Sequence, residues 1–177
     1  MLTDIRNAGR HTCAFSAAMR IRPYTKGEQR ALLGIFQSSV HRLASRDYTA
    51  EQIMAWAPHV LDAASLQSWD SRIDANRPWV VEINGQPVAF ADLQQTGYID
   101  QFFVAPDFSG QGVGGALMRH LLERASAYRM PALFSHVSLT AQAFFAHFGF
   151  QIEQERMPVV RGVALRNALM RKTLAGD

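Results

Sequence analysis

The chain has 177 residues, about one ordinary domain, and 48% of them are apolar, which excludes a disordered chain. The formal charge of +3 and the scattered basic residues argue against a nucleic-acid-binding protein. Cys13 is the only cysteine, so one chain forms neither an internal disulfide nor a cysteine-based zinc site, as expected for a cytoplasmic protein. No apolar stretch approaches the roughly 18 residues needed to span a membrane.

The first 18 residues differ in pattern from the rest of the chain. They lack the continuous apolar segment of a signal peptide. A strand-like run begins at Met19. We therefore expect residues 1–18 to be an N-terminal extension and residues 19–177 to form one domain.

Three helical segments come after that strand. Apolar residues recur at helical spacing in segments 26–43, 49–58 and 66–73. The second segment has Thr49 as its N-cap and Gln52 at the position that completes a capping box.

The pattern then becomes typical of β-structure. Asn84-Gly85 predicts a hairpin turn between strands 79–83 and 88–91, and a further strand is expected at 98–104. A glycine-rich turn at 110–115 opens a helix, on whose apolar face we place Tyr128 together with Val113, Leu117, Leu121 and Ala125.

The last third of the chain predicts a strand at 132–137 and a short aromatic helix at 140–148 that ends at Gly149. Two final strands, at 150–157 and 163–172, are joined through Arg161-Gly162. This order predicts an α/β (α+β) fold with a mixed sheet flanked by helices.

The glycine turn has a chemical use. Glycines let the backbone approach a ligand closely, and the free N–H groups at the start of a helix favour an anion such as a phosphate. The turn also matches the dinucleotide pattern G-x-G-x-x-G, but Pro106 separates the preceding strand from the first glycine. Residues 130–140 contain no acidic residue to hold a ribose, and no Gly-Lys-Ser/Thr is present after the turn, so nicotinamide and ATP chemistry are disfavoured.

Two segments together resemble the GCN5-related N-acetyltransferase (GNAT) family. Residues 99–106 with the glycine turn are similar to the family's central strand and coenzyme A loop. Residues 143–150 resemble the family's helix that ends in Gly-Phe. The resemblance covers nearly all of residues 19–174 and implies a mostly antiparallel sheet of about seven strands. Segments 48–56 and 161–167 look like a bacterial subgroup of the YafP type.

The resemblance implies that acetyl-CoA is the cosubstrate, with no metal. The backbone N–H groups of residues 112–115 hold the pyrophosphate, and Val104, with Phe103 beside it, pairs with the pantetheine arm. Where the family has Gln or Arg, this chain has Ser109, and Gln111 lies two positions later. The cofactor-binding residues expected on this basis are Phe103, Val104, Gln111, Gly112, Val113, Gly114 and Gly115.

Asp100 is the candidate base for the acceptor amine, since partial burial raises a carboxyl pKa. Asp100 could instead pair with an arginine or a backbone donor, or only position the amine. The family's thiolate-protonating tyrosine corresponds to Phe145, which cannot donate a proton. Water, Ser138 or His147 could take that part, although Ser138 could equally cap the helix and His147 could lie on a solvated face.

Residues for the acceptor pocket come from the early helices and the tail. His41, Trp56, His136 and Asn167 are the candidates, with Arg161 beside them on the subgroup resemblance alone. Trp56 is otherwise a core residue, and His136 is otherwise a partner for the base or a structural histidine.

The predicted function is an N-acetyltransferase in which an amine of a small molecule or peptide attacks acetyl-CoA directly in a ternary complex. A non-catalytic acyl-CoA-binding module or sensor is the alternative. Nucleic-acid and membrane partners are not expected, and a homodimer is possible on the family resemblance.

Overall fold

The computed structural model describes residues 19–174. The expected N-terminal extension, residues 1–18, lies outside the described residues, as do residues 175–177. Within residues 19–174 no helix is long and apolar enough to cross a membrane.

The described chain begins with a strand and three helices, and strands then predominate. Two short 3₁₀ turns lie at Ala44–Arg46 and Pro106–Phe108. In chain order the elements are β1 (Met19–Pro23), α1 (Gln29–Leu43), α2 (Ala50–Trp56), α3 (Ala63–Asn76), β2 (Trp79–Ile83), β3 (Gln86–Ala91), β4 (Phe102–Val104), α4 (Val113–Ala127), β5 (Ala132–Ser138), α5 (Leu139–His147), β6 (Gln151–Arg156), β7 (Val159–Val160), β8 (Val163–Ala164) and β9 (Asn167–Thr173).

The strands of the described chain form two larger antiparallel sheets and one small hairpin. Their orders are β1-β2-β3-β4, β5-β9-β6 and β7-β8. The two larger sheets together have the predicted seven strands, and the mixed α/β fold is confirmed.

The two larger sheets meet where Tyr98 forms a parallel bridge with Phe134. The N–H of Ile99 donates to the carbonyl of Phe134 at 2.9 Å, and the N–H of Phe134 donates to the carbonyl of Gly97 at 3.0 Å. A Cβ atom on Gly97 would lie 2.1 Å from the carbonyl oxygen of Ala132, so only glycine allows this approach. Beyond this crossing β4 and β5 separate.

The predicted strand 98–104 is shorter than expected. Only Phe102–Val104 is regular strand, because the backbone at Asp100 turns away from β3. The N–H of Asp100 donates to the side chain of Asp92 at 2.8 Å, while the carbonyl of Gln101 accepts the backbone N–H of Asp92 at 3.1 Å. This local irregularity resembles a bulge, which re-aims side chains near functional sites.

Most element ends agree with local signals in the amino-acid pattern. The capping box at Thr49 and Gln52 is present, and the Asn84-Gly85 turn joins β2 and β3 with both residues in left-handed conformation. The expected last strand, 163–172, is divided into β8 and β9, because β8 pairs with β7 across the Arg161-Gly162 turn while β9 pairs with β5 and β6. The prediction that Tyr128 lies on the buried face of α4 is wrong, since Tyr128 comes after the helix and is 61% exposed.

The core has separate parts on the two sides of the first sheet. On one side α4 buries Leu117 and Leu121 against the strands and Phe145 of α5. On the other side α1 and α3 bury Leu32, Trp69 and other apolar residues. Helices on both faces thus support the edge where β4 and β5 diverge.

Candidate functional site

A groove of about 450 Å³ lies at the divergence of β4 and β5, and we call it the glycine-turn groove. Its floor and walls come from β4, the glycine turn, α1 and the start of α5. The lining includes Val40, Arg46, Phe103, Val104, Gly110, Gly112, Gly114, Gly115, Ser138, Thr140 and Phe144.

The first turn of α4 offers free N–H groups to this groove. Gly112 is the N-cap, with a left-handed φ of 83°, and no side chain caps the helix. The first helical bond runs from the N–H of Ala116 to the carbonyl of Gly112. The N–H groups of Val113, Gly114 and Gly115 therefore have no partner within the helix and lie at its positive end. This arrangement suits a phosphate or pyrophosphate.

The edge of β4 that faces away from β3 is also open. The N–H of Ala105 and the carbonyl of Gln101 bond to β3, and Phe103 pairs with Phe90 in the same ladder. Because successive backbone groups alternate in direction along a strand, those of Phe102 and Val104 point to the other edge. An extended ligand in the groove can therefore bond to β4 as an added strand does.

The side chains of two predicted cofactor residues do not line the groove. The side chain of Gln111 folds back and donates to the carbonyl of Asp107 at 2.6 Å. The side chain of Val113 is buried in the core, so only its backbone N–H is available to a ligand. Ser109 lines the groove, as does Arg46, a cation that the sequence pattern did not indicate.

A second cleft of about 440 Å³ shares Trp56, Phe103 and Ser138 with the glycine-turn groove, and we call it the Asp100 cleft. Aromatic side chains and a mixture of charged and amide groups form its walls. The lining includes Phe36, Tyr48, Trp56, Trp69, Arg72, Asp100, Gln101, Phe103, His136, Ser138, Arg161, Arg166 and Asn167. The two spaces therefore adjoin at these three residues.

Asp100 lies in this cleft with one quarter of its side chain exposed. The amide of Asn76 donates to its carboxylate at 3.2 Å, and the hydroxyl of Tyr98 donates at 3.5 Å. The guanidinium Nε of Arg72 lies 4.0 Å from Asp100 Oδ2. Asp100 is therefore only loosely paired, and its carboxylate remains accessible to a ligand. Burial, followed by the charges of Asp100 and Asp92, raises the pKa of Tyr98 to about 12.

Asp92 holds the backbone of Asp100 through a hydrogen bond and was not among the predicted site residues. Its carboxylate is fully buried, accepts the N–H of Asp100 and accepts the amide of Asn76 at 3.0 Å. Burial raises the pKa of Asp92 to about 7, and the charge of Asp100 contributes in the same direction. Asn76 thus bridges the two carboxylates. The pattern contains no signal for this role, because Asp92 reads as the polar residue that ends a strand.

Tyr48 holds the junction of the two spaces and was also missed. Its hydroxyl accepts the N–H of Leu139 at 2.9 Å and donates to the carbonyl of Arg166 at 2.5 Å. Burial raises the pKa of Tyr48. Among the described residues Ser138 makes no side-chain cap bond, contrary to the alternative that it caps α5. Its hydroxyl is therefore available at the junction.

Position 145 faces the core and not the groove. Phe145 is buried and packs edge-on against Phe102 and Phe150, while its neighbour Phe144 lines the glycine-turn groove. His147 lies exposed on α5, beside Phe148, and lines neither cavity. This position agrees with the solvated-face alternative and removes His147 as a proton donor.

Three of the four acceptor-pocket candidates line the Asp100 cleft, and one does not. Trp56, His136 and Asn167 line the Asp100 cleft. His41 does not, because its Nε2 donates to the carbonyl of Ala57 at 2.7 Å and its ring stacks on His59. His41 therefore ties α1 to the end of α2.

The surroundings of His136 favour its neutral form. Burial lowers its pKa, and the positive charge of Arg156 contributes in the same direction. Nη1 of Arg156 lies 2.9 Å from Nδ1 and 3.0 Å from Nε2 of His136, and a neutral ring accepts at whichever nitrogen lacks the proton. His136 in the Asp100 cleft is therefore engaged by Arg156.

Two amide oxygens in the Asp100 cleft lack a partner within residues 19–174. They are the Oε1 atom of Gln101, whose residue is only 4% exposed, and the Oδ1 atom of Asn167. A buried amide oxygen without a hydrogen bond costs about 1–3 kcal/mol. Both oxygens are enclosed by the protein, although the residues that carry them line the cleft.

Comparison with known proteins identifies the family. The acetyltransferase (GNAT) domain family matches residues 44–174. The chain is 34% identical over 153 residues to the uncharacterized N-acetyltransferase YafP of Escherichia coli, covering 86% of this chain and 95% of that one.

Solved structures agree with this result. A GCN5-related N-acetyltransferase from Rhodopseudomonas palustris superposes with a TM-score of 0.81 at 31% identity, covering 88% of this chain and 95% of that one. The YncA acetyltransferase of Salmonella typhimurium, solved with its cofactor acetyl-CoA, has the same fold with a TM-score of 0.64 at 18% identity, covering 91% and 96%. The chain therefore belongs to the GCN5-related N-acetyltransferase family, is similar to YafP, and is an N-acetyltransferase.

Proposed function

We propose that this N-acetyltransferase binds acetyl-CoA in the glycine-turn groove and an amine in the Asp100 cleft at the same time. The observation that carries the proposal is that the two spaces adjoin at three shared lining residues, Trp56, Phe103 and Ser138. A thioester at this junction is reachable from the Asp100 cleft, so the amine attacks it directly. Holding both reactants in one site removes much of the entropic cost of their encounter.

The cofactor is held mainly by backbone groups. The N–H groups of Val113, Gly114 and Gly115 bind the pyrophosphate, and Arg46 adds a positive charge at the same groove. The open edge of β4 pairs with the pantetheine arm. The N–H of Val104 or of its neighbour Phe102 then polarises the thioester carbonyl, because both point to that edge.

Asp100 accepts the proton of the acceptor ammonium. The neutral amine attacks the thioester carbon and forms the C–N bond, the C–S bond breaks, and the thiolate of coenzyme A leaves. The nitrogen gives up a second proton, which water or the hydroxyl of Ser138 relays to the thiolate. A thiol with a pKa near 8.5 is a tolerable leaving group, so this transfer needs no stronger acid. The buried phenyl ring of Phe145 is therefore compatible with turnover.

The test is to mix the protein and acetyl-CoA with amines, polyamines, amino acids and peptides. Coenzyme A and the acetylated amine should be quantified by mass spectrometry, which measures each product directly. We expect stoichiometric formation of both products with at least one acceptor. Stabilisation of the fold by acetyl-CoA without product from any acceptor would contradict the proposal.

A further inference from the structure

We infer that the acceptor is an α-amino acid, recognised through both its ammonium and its carboxylate; this inference rests on the proposed function. The observation behind it is a loose pair of opposite charges in the wall of the Asp100 cleft. Arg72 of α3 and Asp100 both line the cleft, with 4.0 Å between Nε and Oδ2.

The charges of this pair are complementary to those of an α-amino acid, in which a single carbon atom separates the ammonium from the carboxylate. The Nε–Oδ2 distance exceeds that of a hydrogen-bonded ion pair. Both side chains therefore retain groups for a ligand. An ammonium at Asp100 brings the adjacent carboxylate beside Arg72, where a guanidinium binds it with parallel hydrogen bonds.

Asp100 places the ammonium end. Its carboxylate can accept an N–H of the ammonium, whereas the guanidinium of Arg72 carries no acceptor. The amino acid therefore has one orientation at this pair, with its ammonium at Asp100 and its carboxylate at Arg72.

The remaining charges of the cleft disfavour a second cation. Arg161 lines the cleft and donates to the carbonyl of Ala55 at 2.8 Å, which holds its guanidinium there. Arg161 forms no ion pair within 4 Å among the described residues. Arg166, also in the lining, pairs with Glu155 at 3.0 Å. A polyamine would bring a second positive charge towards these arginines, whereas an amino acid brings a compensating negative charge.

Aromatic side chains complete the cleft. Phe36 stacks on Trp69 at 5.3 Å between ring centroids, and Phe103 lies edge-on to Phe36 at 5.0 Å. All three line the cleft with Trp56. They offer an apolar surface to the side chain of the amino acid, so aromatic and large aliphatic amino acids are the first acceptors to test.

The experiment compares three matched ligands for each of three side chains. The phenylalanine series differs only in one substituent of the α-carbon, which is a carboxylate in L-phenylalanine, a neutral amide in L-phenylalaninamide and a hydrogen in 2-phenylethylamine. The tryptophan and leucine series repeat the comparison. The amide lowers the amine pKa, whereas 2-phenylethylamine has an amine pKa slightly above that of phenylalanine. A preference for the acid over both ligands therefore cannot come from amine basicity. We expect kcat/KM for at least one amino acid to exceed that of its amide by about tenfold or more.

Arg72→Gln should reduce that ratio to near one, because Gln cannot form the charged bidentate contact. The ratio of the two ligands cancels any effect of Arg72 on Asp100 itself. Arg30→Gln is the matched control, since Arg30 is similarly exposed but pairs with Asp70 outside the cleft. Equal or better turnover of the amides or decarboxylated amines by the wild type would overturn the inference, as would a ratio that survives in Arg72→Gln.

The two proposals fail in different ways. Turnover of simple amines without preference for a carboxylate leaves the proposed function intact and overturns the amino-acid acceptor. If no amine is acetylated, calorimetry still tests whether the cleft recognises a carboxylate. The coenzyme A-bound protein is titrated with N-acetyl-L-phenylalanine and with N-acetyl-2-phenylethylamine, which lacks the carboxylate. Tighter binding of the acid supports carboxylate recognition at Arg72, and equal or absent binding overturns it.

Discussion

The glycine-turn groove and the Asp100 cleft share three residues but are built in different ways. The groove offers backbone N–H groups from one continuous segment, β4 to the first turn of α4. The Asp100 cleft offers side chains from α1, α2, α3, the approach to β4, β5 and the tail. The groove therefore tolerates side-chain changes that preserve its backbone, whereas single side-chain changes in the cleft alter its chemistry.

The largest expected effect is that of Asp100→Asn, which tests whether the cleft holds the chemistry. The amide cannot take the proton of the ammonium, so kcat/KM should fall by about 1,000-fold. Acetyl-CoA affinity should stay unchanged, because the groove lacks Asp100. Steady-state kinetics measures kcat/KM, and calorimetry measures the affinity for acetyl-CoA. A variant that retains wild-type kcat/KM would show that Asp100 is not the base.

Gly112→Val tests the glycine-turn groove. Valine is strained at the left-handed φ of Gly112 and displaces the N–H groups of α4, so the Kd for coenzyme A should rise about 100-fold. Gly85→Val is the matched control, since Gly85 has a similar φ of 77° in the β2–β3 turn. Both variants should lose similar stability, and only Gly112→Val should lose cofactor binding by calorimetry. Equal affinities would argue against the turn as the anion site.

Asp92→Asn sharpens the role of the buried carboxyl under the cleft. Because the folded-state pKa of Asp92 is raised to about 7, its contribution to stability is complete at low pH and is lost as pH rises through 7. The free energy of unfolding should therefore fall by about 2 kcal/mol between pH 5 and pH 7 from this group alone. Urea titrations at both pH values should show this fall in the wild type and a correspondingly smaller one in Asp92→Asn. An identical pH dependence in both proteins would mean that Asp92 does not titrate there.

The smallest effects separate Ser138 from His147. Ser138→Ala removes a hydroxyl at the junction of the two spaces, and kcat should fall by about tenfold or less, because water can protonate the thiolate. His147→Ala should leave kcat within about twofold, since His147 lines neither space. Initial rates at saturating substrate compare the two. A larger loss in His147→Ala than in Ser138→Ala would reverse the assignment.

The sequence predicted those features that depend on neighbouring residues. The capping box at Thr49, the Asn84-Gly85 turn and the glycine-rich start of α4 each require residues only a few positions apart. Hydrophobic periodicity could not show where α4 ends, so Tyr128 was assigned to a face that it does not occupy. Periodicity reports which face is buried and not how long the helix continues.

The Asp100 cleft depends on contacts between residues distant in the chain. The hydroxyl of Tyr48 bonds to Leu139, 91 residues away, and Asn76 bridges two carboxylates that lie beyond two strands. Strand propensity at 98–104 could not reveal that Asp92 takes the N–H of Asp100 and interrupts the ladder. Pattern placed Asp100, Trp56, His136 and Asn167 near the acceptor, but only the fold separates them from His41 and His147.

The divergence of β4 and β5 bears on whether the cofactor-free protein aggregates. Beyond the bridge at Tyr98, β4 pairs with β3 and β5 pairs with β9, so each presents one open edge to the groove. Open strand edges are templates for aggregation with other chains. Here the two edges face each other inside a narrow space, which shields them from large partners. In the proposed complex acetyl-CoA covers the β4 edge, so we expect the cofactor to protect the protein against aggregation as well.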